Sequence, residues 1–263
     1  MCQECGCGLG GGDVKVGGHA HAHDDHHHHD GHNHEEDHGH THGPVTVNLN
    51  RSLMEKNDRL AERNRGFFRA KKLLVLNVLS SPGSGKTTFI RETAVQLAGK
   101  LRVGVIVGDL ATDNDAARLK TAGIPVVQIT TGTVCHLDAE MVAQAAAQLN
   151  LDQLDLLVIE NVGNLVCPAD YDLGEDLRVV LLSTTEGEDK PLKYPPMFHS
   201  ANVAIVTKSD LAAAAGFHRE QALSNLSRVS HHAAVFELSA TTGDGMKAWL
   251  DYLTKQQAEG AGK

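Results

Sequence analysis

The segment that most narrows what this chain can fold into is Ser80-Ser81-Pro82-Gly83-Ser84-Gly85-Lys86-Thr87-Thr88, which follows the apolar run Leu73–Leu79 and opens a helical pattern. Small residues between a strand and a helix let the backbone curl so that its amides point inward. They then cradle phosphate oxygens, and the positive end of the following helix adds to the attraction. Gly83, Ser84, Gly85 and Thr88 are expected to line this cradle. Lys86 is placed to reach β- and γ-phosphates, and the Thr87 hydroxyl to ligate Mg²⁺. The pattern departs from G-x-x-x-x-G-K-[ST] only at its first position, where Ser80 stands for Gly.

Downstream, short aliphatic runs alternate with helical patterns. Residues 73–79, 103–107, 125–129, 154–160, 179–183, 202–206 and 233–238 read as strands, several of them apolar on both faces as parallel strands covered on each side are. Thr87–Lys100, Asp138–Leu149, Phe217–Val229 and Met246–Lys255 read as helices. This predicts an α/β fold with a doubly wound, mostly parallel sheet spanning 73–263. Upstream, residues 44–72 read as a linker, extended through Val45, Val47 and Leu49, followed by an amphipathic helix from Ser52 that docks on the domain.

Further parts of a nucleoside triphosphatase follow in order. The strand 156–160 ends in Glu160, suited to the Mg²⁺ side or to positioning water. Gly163, three residues on, can offer its backbone amide to a γ-phosphate. Asp109 also ends a strand and is followed by Asp113 and Asp115; one of the three is expected to order metal or attacking water. Thr207-Lys208-Ser209-Asp210 resembles the guanine-reading N/T-K-x-D element. Asp210 can accept from both N1–H and the N2 amine of guanine, a donor pair that adenine lacks, while the Lys208 stem flanks the base. Ser239-Ala240-Thr241 fits the element that meets the guanine carbonyl through its backbone. The expected nucleotide is therefore GTP, hydrolysed to GDP.

Charge and metal donors are unevenly placed. The chain carries 24 basic against 33 acidic residues, a balance unsuited to neutralising a nucleic-acid backbone. Eight of the acids lie in residues 1–42 against Lys15 alone, and 12 of 17 histidines fall between His19 and His42. With ten glycines and almost no aliphatics in residues 1–43, this tail is expected to be disordered without metal. Its start lacks the charged and apolar regions of a signal peptide, and no apolar run approaches the length that spans a membrane. A cytoplasmic protein with reduced thiols follows, in which clustered cysteines serve metals. Cys2, Cys5 and Cys7 suit Zn²⁺, Ni²⁺ or Cu⁺. The histidine tract suits weak binding of several ions, as in a buffer or store. Cys135-His136 and Cys167 form a second candidate set, because Cys167 follows the segment whose position should depend on the γ-phosphate. His199, His218, His231 and His232 are read as structural or solvent-facing.

Together these motifs resemble the HypB family of hydrogenase nickel-incorporation GTPases. The resemblance rests on Cys2-Gln-Glu-Cys5-Gly-Cys7-Gly, the histidine tract, SSPGSGKTT (80–88), GDLATDNDAARL (108–119), TTGTVCHLDA (130–139), ENVGNLVCPA (160–169) and EGEDKPLKYP (186–195). It implies a high-affinity nickel site at the terminal cysteines. It also implies a Zn²⁺ or Ni²⁺ site of Cys135, His136 and Cys167 at the interface of a GTP-dependent homodimer. Lys190 or Lys193 would reach the partner's nucleotide, and the partners would be other hydrogenase maturation proteins and the hydrogenase large subunit. A urease-type nickel GTPase, or a nickel store with a regulatory GTPase switch, are the alternatives.

Overall fold

The protein, seen in a computed structural model, is described over residues 45–110 and 114–260. The Cys2, Cys5 and Cys7 set, the histidine tract and Asp113 lie outside the described residues. Among the described residues, seven strands form one sheet: β1 (Leu74–Leu79), β2 (Val103–Asp109), β3 (Val126–Thr130), β4 (Leu156–Glu160), β5 (Leu177–Ser183), β6 (Val203–Thr207) and β7 (Ala234–Glu237). Their order is β3-β2-β4-β1-β5-β6-β7, and every neighbouring pair is parallel. All seven predicted strands are present. Each of β1, β4, β5 and β6 is buried along its whole length, as their two-faced apolar sequences require.

Among the described residues, eight α-helices connect or flank them: α1 (Val45–Ala70), α2 (Lys86–Leu97), α3 (Asn114–Thr121), α4 (Ala139–Ala146), α5 (Lys190–Lys193), α6 (Pro195–His199), α7 (Arg219–Val229) and α8 (Met246–Gly260). The period-2 alternation of the strands divides the core. Leu74, Leu76 and Val78 face α2, α3 and α8 through Phe89, Ile90, Leu119 and Trp249. Leu73 and Val75 face the other way, toward Phe68 of α1 and Val142 and Ala145 of α4. A third cluster sets Val180, Leu182 and Val206 against Phe198 of α6 and Leu226 of α7.

Residues 45–49 were expected to be extended, and they are helical instead. Once a helix is nucleated, each added residue gains a hydrogen bond, which outweighs the few tenths of a kcal/mol by which valine disfavours helix. The docking of α1 is more polar than its stripe suggests. Buried Asn57 donates to Asp172 O at 2.9 Å and accepts from Ala139 N at 2.9 Å. Buried Asn64 donates to Ala139 O at 2.7 Å and Leu173 O at 3.1 Å. Asn64→Ala leaves two buried carbonyls short of a donor and is expected to lower stability by about 1–3 kcal/mol in urea unfolding. An unchanged midpoint would show that these bonds do not hold the helix.

Candidate functional site

The phosphate loop joins β1 to α2 at the carboxyl end of the sheet, where open parallel sheets bind ligands. Gly83 and Gly85 have φ of +75° and +94°, which only glycine adopts without strain, and Gly85 caps α2. The Ser84 hydroxyl donates to Ser80 Oγ at 2.5 Å, and Lys86 Nζ donates to the same oxygen at 3.0 Å. Ser80, at the motif's irregular first position, thus anchors the loop and steadies the lysine.

The Thr87 hydroxyl donates to Glu160 Oε1 at 2.7 Å. Glu160 is 3% exposed, and its Oε2 is buried with no hydrogen-bond partner among the described residues. Burial pushes the Glu160 carboxyl up to about 7, against the opposing pull of the Thr87 hydrogen bond and the Lys86 charge. Burial also lowers Lys86 from the usual lysine range, opposed by the charges of Glu160, Asp115, Glu186 and Asp109. A buried carboxylate oxygen lacking a donor, beside a hydroxyl at a phosphate loop, is the donor chemistry a hard cation such as Mg²⁺ takes. The residues therefore fit that ion. Asp109 Oδ1 accepts from Leu110 N at 2.7 Å, and Asp115 lies 3.7 Å from Arg118.

A cavity of about 170 Å³ opens beside the loop, lined by Gly85, Thr88, Lys208, Asp210, Ser239 and Ala240 among others. Lys208 has φ of +56°, unusual for a side-chain-bearing residue, and its Nζ donates to Gly83 O at 2.8 Å. Thr207 donates to Ser84 O at 3.1 Å, and the Thr184 hydroxyl to Lys208 O at 2.7 Å. Ser239 Oγ accepts from Thr241 N and Thr242 N, which shapes the opposite wall. The structure thus brings the residues expected to meet phosphate or base to one end of the sheet, Gly163 among them. That glycine borders the loop from β4: a Cβ on it would stand 3.1 Å from Pro82 Cα. Lys190 Nζ lies 3.5 Å from Ser81 Oγ, while Lys193 pairs with Asp189 at 2.6 Å.

The second constellation lies on the loops ahead of α4 and after β4. Cys135 Sγ is 2.8 Å from Cys167 Sγ and 4.0 Å from His136 Nδ1, with one donor atom from each residue within 4.8 Å of the others. Asp138 caps α4 by accepting from Met141 N, which fixes the chain just past His136. Asn164 donates to Cys135 O at 3.2 Å and accepts from Val166 N at 2.9 Å, tying the two cysteine segments together. The His136 ring is buried and stacks on Tyr171, centroids 3.8 Å apart. Two thiols and an imidazole suit a borderline transition ion.

Sequence reasoning missed Asn77, Tyr171 and Asn164, and saw Ser80 only as the motif's irregular first position. Asn77 did carry a signal, being the single polar residue in an apolar strand. The rings of His199 and His231 each stand near His232, at 5.6 and 5.5 Å between centroids, so the fold brings His199 to a pair already adjacent in sequence. Among the described residues, no helix is long and apolar enough to cross a membrane.

A parallel sheet whose first strand feeds a glycine-turned phosphate loop into a helix, with a buried carboxylate behind it, defines a P-loop nucleoside triphosphatase. Residues 74–237 match the CobW/HypB/UreG nucleotide-binding domain family. The hydrogenase maturation factor HypB of Escherichia coli (strain K12) is 51% identical over 205 residues, covering 78% of this chain and 71% of that protein. The crystal structure of HypB from Helicobacter pylori in complex with nickel is 39% identical with a TM-score of 0.74, covering 78% of this chain and 96% of that one. HypB from Archaeoglobus fulgidus is 37% identical with a TM-score of 0.73, over 77% and 99% of the two chains. The chain belongs to the CobW/HypB/UreG family of P-loop GTPases, within its HypB branch of hydrogenase maturation factors.

Proposed function

We propose that this protein uses GTP hydrolysis to bind nickel and release it for insertion into hydrogenase. The observation that carries the reading is the convergence of Cys135, His136 and Cys167 on one point, at the end of a short segment that starts from Glu160 in the nucleotide site. The nickel complex of the Helicobacter pylori relative supports it. In this reading the loop amides and Lys86 hold the phosphates, and Asp210, Lys208, Ser239 and Ala240 select guanine. Thr87 and Glu160 would hold Mg²⁺, which offsets phosphate charge when bound. Asp109 or one of its neighbours orients water, and the Gly163 amide senses the γ-phosphate.

GTP draws the Glu160–Gly163 segment toward the phosphate loop and favours a homodimer, in which Lys190 or Lys193 reaches the partner's nucleotide. Turnover by the isolated chain is slow in this scheme, because the site is completed only across that dimer. The thiolates and imidazole take Ni²⁺ or Zn²⁺ in the GTP-bound arrangement. Hydrolysis relaxes the segment, loosens the donors and passes nickel to another maturation protein and thence to the hydrogenase large subunit, in the cytoplasm. Cys2, Cys5 and Cys7 serve as a tight nickel site and the histidine tract as a reserve.

Titrating the full chain with Ni²⁺ and Zn²⁺, in GDP and in a non-hydrolysable GTP analogue, tests the scheme. A change of about tenfold in inner-site affinity, equal to about 1.4 kcal/mol of coupling, is expected. Identical affinities and stoichiometries in the two nucleotides would overturn it.

A further inference from the structure

We propose that four buried side chains, Asn161, Asn77, Glu175 and Arg178, together with Tyr171, position the Cys135/His136/Cys167 donors and carry the influence of nucleotide on them. The proposal rests on the reading above, that nucleotide state alters metal affinity, and names the residues through which it does so. None of the five belongs to the phosphate loop, the base cavity or the donor set.

Asn161 directly follows Glu160 and stands two residues before Gly163, the glycine packed on Pro82 of the phosphate loop. Its Oδ1 accepts from Val162 N at 2.9 Å and from Leu137 N at 3.3 Å, the residue next to His136. Its Nδ2 donates to Asn77 Oδ1 at 3.2 Å. Asn77 Nδ2 in turn donates to Glu175 Oε1 at 3.1 Å, which also accepts from Arg178 Nε at 3.1 Å. Arg178 also reaches the segment that carries Cys167, besides an Nη1 hydrogen bond to Ser200 Oγ at 3.1 Å. Nη1 donates to Ala169 O at 2.7 Å and Nη2 to Tyr171 O at 2.8 Å. The 3₁₀ turn holding Ala169 begins at Cys167, and Tyr171 stacks on His136. One end of the chain therefore touches the segment facing the γ-phosphate and the backbone beside His136. The other end grips the turn that carries Cys167 and the ring that braces His136.

Burial makes the arrangement stiff. Asn77 and Asn161 are 0% and 1% exposed, and Glu175 and Arg178 are likewise buried. A buried polar group that loses its partner meets no water to replace it, so each member is committed to the next. A shift of Asn161 cannot be absorbed locally. It is passed along the chain or resisted by it, and either way the donors and the γ-phosphate segment share one set of arrangements.

Because spatial continuity alone does not establish coupling, the test measures it directly. The full chain with Cys2, Cys5 and Cys7 changed to Ser is titrated with Ni²⁺ in GDP and in a non-hydrolysable GTP analogue. Sulfur-to-nickel charge-transfer absorbance is followed, which then arises from Cys135 and Cys167 alone. The parent is expected to show a ratio of affinities of about tenfold. Asn77→Ala and Tyr171→Leu are expected to bring that ratio within about twofold, with GDP binding as the check on folding, whereas Tyr171→Phe, which keeps the ring, retains the parent ratio. If Asn77→Ala does not fold, the Tyr171 pair decides alone. A parent ratio kept by Tyr171→Leu overturns the relay and leaves the proposed function standing; a ratio of one in the parent overturns both.

Discussion

Asp210→Asn is expected to weaken GTP binding by about 10²–10⁴-fold and to create affinity for xanthosine triphosphate. Asp210 lines the cavity together with Lys208 and Ala240, in the middle of the turn Ser209–Leu211. There it can accept from both N1–H and the exocyclic amine of guanine. Each such charge-assisted bond is worth about 1.5–3 kcal/mol, so losing the pair costs about 3–6 kcal/mol. An asparagine can still accept from N1–H, but its NH₂ group then faces the guanine amine, donor against donor. Xanthine carries a carbonyl oxygen at that position and restores the match. Competition against a fluorescent guanine nucleotide measures both effects. Equal GTP affinity in the variant would place the base elsewhere.

The second large effect concerns pH. Glu160 is raised from 4.5 to about 7 in the folded chain, chiefly by burial. An acid with a raised folded value stabilises the fold fully below its unfolded value, and that contribution disappears as pH climbs through the folded value. Between pH 4.5 and 7 the unfolded chain has released the proton and the folded chain keeps it, so stability falls as pH rises. The shift amounts to about 3 kcal/mol. Glu160→Gln removes this dependence. The nucleotide-free wild type should therefore lose about 3 kcal/mol relative to the variant between pH 4.5 and 8 in urea unfolding. Mg²⁺ with GDP should shrink the loss, since a cation at Glu160 Oε2 favours the charged form. Parallel stability curves for the two proteins would remove Glu160 from this role.

The sequence announced its strands because both faces are buried, so that apolar residues run unbroken in stretches such as LLVIE and VVLLS. It announced the phosphate loop because glycine and lysine spacing there is dictated by backbone conformation. The helices α5 and α6 were not visible: they are four and five residues long and contain three prolines, too short for any periodicity to register. Nor was α3, whose stripe toward the core is only Ala116 and Leu119. The Cys135/His136/Cys167 cluster was legible as residue types, since thiols and imidazole in a GTPase stand out. Its bracing was not, because Tyr171 reaches His136 only once β4, β5 and the loop before α4 have come together. Asn57 and Asn64 show the converse. The amphipathic helix that carries them was legible, while their hydrogen bonds became apparent only in three dimensions.

The polar docking of α1 also bears on how cargo travels within one molecule. Asn57 is fixed to Ala139, three residues past His136, and the helix begins at Val45, twelve residues earlier. At 1.5 Å per residue, that separation is about 18 Å. An ion released by any ligand-bearing segment tethered at Val45 would meet the inner donors at a local molarity that dilution of the protein does not change.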